Sequence, residues 1–235
     1  MKSMVLPDDH DLCVRLFLEE IESVKAGSKS GIVHVGAHMG EEVPAYRDFG
    51  WNPIYLIEAN PEVMPALNAK FDGQNDVSIL QTAVGNSVGE IEFAVHKTKR
   101  GGMESASILP LAKLGEIVPI FSSDSVHKVP ISTIDTLYTS GTFAEEVGLL
   151  VIDVQGAELL VLQGANQFLQ SIDAVVCEVN LIENYKGCPL EAEIVQFLET
   201  HGFYSQLAIY HELYDASGTF PAWGERLWLR HTTSG

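Results

Sequence analysis

Basic residues are scarce in this chain. Its 235 residues carry 14 Lys and Arg against 32 Asp and Glu, a formal net charge of −18. A surface this negative repels phosphate backbones and anionic membranes, so neither nucleic acid nor a membrane is an expected partner, whereas a cationic ligand is tolerated. Cysteine is scarce as well. Only Cys13, Cys177 and Cys188 are present, an odd number with no C-x-x-C pair, which argues against a disulfide framework or a thiolate zinc site and fits a reducing compartment. No apolar stretch approaches the ~20 residues of a membrane span. The first residues hold one Lys before Asp8, Asp9 and Asp11, with apolar residues scattered, so no signal peptide is expected. The chain reads as cytoplasmic. With 46% apolar residues it can fill a core, and a single domain over 1–235 is expected, with a helix in 1–30 and inserted strands and a loop over 87–130. No internal repeat or low-complexity tract interrupts it.

Leu12, Leu16, Phe17, Ile21 and Val24 recur at helical spacing ahead of Ala26-Gly27 and predict an amphipathic helix laid on a core. Ile32-Val33-His34-Val35 runs into Gly36 and Gly40, and Glu41 to Phe49 reads as a helix stopped by Gly50. Ile54 to Ile57 predicts a second strand. It is closed by Glu58-Ala59-Asn60-Pro61, with Asn60 as N-cap and Pro61 as the first helical residue. Pro65 falls late in that helix and should cost a backbone hydrogen bond or delay the regular start. Val77 to Leu80 is a third strand. Ile91 to Val95 alternates like a half-buried strand, and the Gly/Ser-containing stretch from Gly101 to Ser107 reads as a mobile loop. Beyond it come a buried strand at Leu149 to Ile152, a helical stretch from Gly156 to Leu169 open to a break at Gly164, and a strand at Ala174 to Val179. A helix at Leu190 to Thr200 follows, then closing strands at Phe203 to Tyr210 and Leu227 to Leu229.

Near-continuous apolar strands alternating with helices predict an α/β fold, its sheet mainly parallel and covered by helices on both faces. Ligands on such sheets bind beyond the carboxyl ends of the strands, near the switch in strand order. Function is therefore expected at Gly36 to Gly40, Glu58 to Asn60, Thr82 to Val84, Asp153 to Gly156 and Glu178 to Asn180. The turn Gly36-Ala37-His38-Met39-Gly40 lets backbone N–H groups approach a nucleotide-like ligand. Glu58, at the end of the next strand, can accept two hydrogen bonds from ribose hydroxyls. That pair suits a nicotinamide cofactor as well as S-adenosylmethionine. Two features lean toward the latter: the middle glycine of G-x-G-x-x-G is missing, and Asp153-Val-Gln-Gly-Ala-Glu158 puts an acid and an amide just past the central strand, where a transferring methyl would sit. Asp153 and Glu158 could equally serve the N-terminus of the helix that follows.

Taken in order, several blocks resemble the FkbM family of S-adenosylmethionine-dependent methyltransferases. They are Val33-His-Val-Gly-Ala-His-Met-Gly-Glu41, Tyr55-Leu-Ile-Glu-Ala-Asn-Pro61, Thr82-Ala-Val-Gly-Asn86 with Gly89, Thr133-Ile-Asp135, and Ile152-Asp-Val-Gln-Gly-Ala-Glu158 with Leu162 and Gly164. The resemblance spans about Gly31 to Arg230. It implies a Rossmann-like class I methyltransferase sheet of seven strands with an antiparallel last strand, and O-methylation of hydroxyls on sugars or polyketide-like natural products. S-adenosylmethionine would lie on Gly36, Ala37, His38, Gly40, Glu58, Ala59, Asn60, Thr82, Ala83, Val84, Asp153 and Gln155. Ser105 and Ser107 resemble a family serine stretch near the active-site mouth and are candidate acceptor contacts. In two places the chain departs from the family. His34 stands where the first strand commonly carries an acid that holds the methionine end, and it reads as a core histidine bonded to backbone. Val151-Ile152 occupies the stretch where a Lys often precedes Asp153.

Methyl transfer asks the protein to align an oxygen with the S–CH3 bond and to remove a proton as charge develops. Asp153 is the first candidate for that base, with Glu178 and Asn180 beside it. No spacing demands a metal, and His34 and His38, four apart on a strand and turn, do not make a zinc pair. The aromatic segment Tyr210 to Trp223 fits either an acceptor floor or the core. An NAD-dependent oxidoreductase and a non-catalytic ligand-binding protein remain as alternatives, and the oligomeric state is open.

Overall fold

Twelve strands and six α-helices are found among residues 2–5, 10–24, 30–98, 103–113, 115, 121–143, 146–215 and 218–231, which the computed structural model describes. The main sheet is formed by β1 (Lys2–Val5), β2 (Gly31–Val35), β3 (Ile54–Glu58), β4 (Val77–Gln81), β9 (Val147–Ile152), β10 (Ala174–Asn180), β11 (Phe203–Asp215) and β12 (Gly218–Arg230), in the order β1-β11-β12-β10-β9-β2-β3-β4. Seven of these strands share one direction and β12 runs antiparallel to both neighbours. The sheet thus has eight strands rather than the expected seven. The extra one, β1, pairs with β11 through only four residues, too short to show a hydrophobic period. Between β4 and β9 lies a second sheet, β5-β8-β6-β7, of β5 (Ala83–Val84), β6 (Gly89–Thr98), β7 (Met103–Ser107) and β8 (Phe121–Ser132). Met103 to Ser107, expected as loop, is a strand paired antiparallel to β6, while Gly101 and Gly102 lie outside the described residues.

Because successive strand residues face opposite sides, the apolar runs feed two cores. On one side Ile32, Leu56, Leu149 and Val176 pack against Phe17, Tyr46 and Leu67 from α1 (His10–Val24), α2 (Val43–Asp48) and α3 (Met64–Lys70). On the other, Val33, Ile57, Leu150 and Val175 meet Ile134, Leu162 and Leu198 from α4 (Ile134–Thr139), α5 (Glu158–Gln163) and α6 (Glu191–Thr200). Each of these apolar side chains stabilises the fold by roughly 1.5–3 kcal/mol on burial.

Three helices differ from their expected limits. The second begins at Val43, two residues late. The third begins at Met64 with Pro65 in its first turn, and the Asn60 side chain accepts the Glu62 N–H at 3.0 Å, so it caps a preceding turn. The stretch from Gly156 divides at Gly164 into α5 and a 3-10 turn at Phe168–Gln170. A Cβ at Gly164 would lie 2.1 Å from the Gly85 carbonyl oxygen, so the helix passes hard against the start of the second sheet.

The chain leaves β2 toward β3 and returns to β9 on the other side, which makes the β2/β9 edge the switch point. There the Asp153 N–H donates to the Val35 carbonyl at 2.9 Å, and a Cβ on Gly36 (φ +84°) would lie 1.6 Å from the Asp153 carbonyl oxygen. Gly36→Ala is therefore expected to destabilise the protein by about 1–3 kcal/mol or more through overpacking. Gly73→Ala, at a similar φ of +70° with open space around it, should cost only the backbone strain of about 1–2 kcal/mol. Thermal denaturation of the two variants measures the difference, and equal losses would mean that the switch point yields.

Candidate active site

A cavity of about 630 Å³ opens where β2, β3, β9 and β10 end. At the end of β3, the Glu58 carboxylate is held by two backbone groups: the His38 N–H donates to one oxygen at 2.7 Å and the Asn60 N–H to the other at 2.6 Å. His38 reaches this position with φ at 44°, a left-handed conformation uncommon outside glycine. The Ala59 N–H also approaches the carboxylate, and Glu58 lines the cavity, where it can accept from a ligand's hydroxyls. Burial pushes its carboxyl above the usual range, and the N–H groups oppose that shift.

Past the switch point the acids gather. Gln155, with φ at 56°, donates its amide to Asp153 Oδ1 at 2.7 Å and to Glu178 Oε2 at 2.9 Å. The Tyr185 hydroxyl donates to the Gln155 amide oxygen at 2.5 Å, which turns the NH2 group toward the two acids. Glu158 Oε1 accepts from Gly156 N at 2.9 Å and Val154 N at 3.3 Å, at the start of α5. Burial, reinforced by Asp153 and Glu158, holds the Glu178 carboxyl well above the carboxylate range, and burial likewise pushes Glu158 up to about 7, with Asp153 adding to it. A bound cation would favour the charged form of both.

A further acid, Glu42, stands just before α2. His34 is buried, as expected of a core histidine, but its partner is a side chain and not backbone: Nδ1 lies 3.1 Å from the Tyr46 hydroxyl and 3.8 Å from Glu42 Oε2. Glu42 lines the cavity, and that Oε2 is buried without a hydrogen-bond partner. Glu41 is spent within the turn, on His38 Nδ1 at 3.0 Å and Met39 N at 3.0 Å.

Of the residues expected from the sequence, Gly36, His38, Glu58, Ala59, Asn60, Thr82, Ala83, Val84, Asp153, Gln155, Glu178 and Asn180 line this one cavity. Ala37 and Gly40 do not. Ala37 packs into the core, and a Cβ on Gly40 would meet the Phe71 ring at 2.8 Å, so both shape the turn from behind. Gly36 itself owes its lack of a side chain to the Asp153 backbone and not to a ligand. Ser107 is fully buried, its Oγ donating to the Gln155 carbonyl at 2.7 Å and accepting the Leu109 N–H at 3.0 Å, so it braces the Gln155 turn instead of facing an acceptor. The side chain of Ser105 lies outside the described residues. The reading of residues missed Glu42, Asn184 and Tyr185 as well as the apolar wall of Phe93, Ile108 and Leu213. Trp223 also lines the cavity, at the end of the aromatic segment expected as either floor or core. Among the described residues no helix is long and apolar enough to cross a membrane.

No curated protein matches the chain in sequence. In structure it is similar to a candidate S-adenosylmethionine dependent methyltransferase from Listeria monocytogenes, at 10% identity and a TM-score of 0.51, over 93% of this chain and 99% of that one. It is also similar to the magnesium protoporphyrin IX methyltransferase of Synechocystis PCC 6803 with bound SAM, at 9% identity and a TM-score of 0.48, over 94% of this chain and 81% of that one. These likenesses concern the fold. The model of the methyltransferase FkbM domain matches residues 34–204, and the chain belongs to that methyltransferase family.

Proposed function

We propose that the protein transfers the methyl group of S-adenosylmethionine to a hydroxyl of a sugar or natural-product acceptor. One observation carries the reading: Glu58, from the end of β3, and the acids Asp153 and Glu178, from β9 and β10, line one cavity at the switch point. The residues fit this cofactor. Glu58 would accept the ribose hydroxyls, Ala59 and Thr82 to Val84 would border the base, and Glu42, whose Oε2 is buried without a hydrogen-bond partner, would offer a counter-charge to the ammonium of the methionine end. S-adenosylmethionine supplies an electrophilic methyl on a positive sulfonium. The protein supplies alignment and a proton acceptor. A carboxylate is too weak a base to ionise an alcohol in advance, so Asp153 takes the proton as charge develops on the attacking oxygen. Gln155 holds Asp153 in place, and Phe93, Ile108, Leu213 and Trp223 give the acceptor an apolar wall on which a ring can lie.

Calorimetry with S-adenosylmethionine, S-adenosylhomocysteine and NAD tests the reading. Binding of the first two without NAD is expected, and binding of NAD alone would overturn it. Asp153→Asn keeps shape while removing the base, so near-normal S-adenosylmethionine affinity is expected, with methyl transfer to a hydroxyl acceptor lowered roughly 10²-fold or more. Wild-type turnover would leave Asp153 a structural residue. Glu42→Gln should weaken S-adenosylmethionine and S-adenosylhomocysteine alike, by about tenfold to a hundredfold, because both carry the ammonium group and a charge-assisted contact contributes about 1.5–3 kcal/mol. Unchanged affinity for both would remove Glu42 from the site.

A further inference from the structure

We propose that Cys13, His211 and Glu225 form a binding site for a divalent transition-metal ion of the zinc type, which ties α1 to the β11–β12 hairpin. One ligand atom from each residue lies within 4.8 Å of the other two. Zinc bonds of about 2.0–2.3 Å in a tetrahedral arrangement place ligand atoms roughly 3.2–3.8 Å apart, so only side-chain adjustment separates the observed cluster from a coordination sphere. The His211 Nε2 to Glu225 Oε2 contact of 2.7 Å would open to roughly that spacing. A thiolate, an imidazole and a carboxylate are the donor set of zinc rather than of calcium or magnesium, and three protein ligands leave a fourth position for water.

The donors are shielded from water as a structural metal site requires: Cys13 is 3% exposed and His211 2%, and the Nε2 that faces Glu225 is the ring nitrogen that would bind the ion. Local strand structure gathers the donors. A bulge at His211/Glu212 re-aims the strand, and a Cβ on Gly224 would lie 2.2 Å from the Ile209 carbonyl oxygen, so the hairpin strands are pressed together beside the cluster. Glu225 remains partly exposed, which gives the cluster a side open to solvent. Spacing in the sequence cannot show such a site, because Cys13 sits near one end of the chain and its partners near the other.

Cobalt(II) titration of the metal-free full chain tests this. A saturable near-ultraviolet thiolate-to-cobalt band is expected at one equivalent, with zinc displacing it. Cys13→Ser should abolish the band, whereas Cys188→Ser should keep it. Glu225→Gln, at a partly exposed position that folding tolerates more easily, should weaken zinc binding by about tenfold or more. The proposal fails if the wild-type chain shows no saturable band, if the band survives Cys13→Ser, or if Glu225→Gln binds zinc as tightly as wild type.

Discussion

Carboxyl groups buried side by side raise one another's pKa and cost free energy in their charged form, and the end of this sheet holds Glu158 and Glu178 in that condition, with the carboxylate of Asp153 beside them. What surrounds them offsets the cost. Backbone N–H groups of Gly156 and Val154 serve Glu158, and the Gln155 amide bridges Asp153 and Glu178. Gln155 can do so only in a left-handed conformation, at a strain of roughly 1–2 kcal/mol. Tyr185 orients its amide and Ser107 holds its carbonyl, so residues with no evident chemistry of their own fix the geometry of the acids.

The approach of β2 to β9 places the acids opposite Glu58. Since the Asp153 carbonyl fills the space beside the Gly36 Cα, the Asp153–Gln155 turn is seated on the glycine turn, and one cavity serves both. Other family blocks are scaffold. Thr133 caps α4 by accepting the Thr136 N–H at 3.0 Å, and Asp135 accepts the Gln167 and Phe168 N–H groups at 3.0 and 2.9 Å. The Gly85–Gly164 contact locks α5 against the second sheet. A sequence signature of this kind therefore mixes residues that face the ligand with residues that hold the loops in register.

The parallel sheet and the position of the site were legible because buried strands are continuous apolar runs, and because such sheets bind ligands where those runs end in Glu58, Asp153 and Asn180. What stayed hidden has physical reasons. β1 is four residues of mostly exposed chain that become a strand only by pairing with β11. β11 and β12 run 13 residues each, past the apolar stretches that marked them, because the hairpin continues through alternating polar positions. Glu42 precedes a six-residue helix too short to show a face, and Tyr185 lies in an irregular loop, so neither has a period that could point to the cavity. Gly36 was legible as essential, though what crowds it is protein.

The central claim is that the acids gathered at one end of the cavity make this a site for a cation. Burial raises the Glu178 carboxyl and holds Glu158, behind it, at about 7, so negative charge beside the cavity grows as pH rises through that value and favours a positive ligand. S-adenosylmethionine carries a sulfonium charge that S-adenosylhomocysteine lacks. The most direct measurement is the ratio of their dissociation constants between pH 6 and pH 8. The expected result is a preference for S-adenosylmethionine that grows severalfold with pH, up to about tenfold per pH unit for each proton displaced. A ratio that stays flat or falls across that range would contradict the assignment of these acids to the transferring methyl end of the cavity.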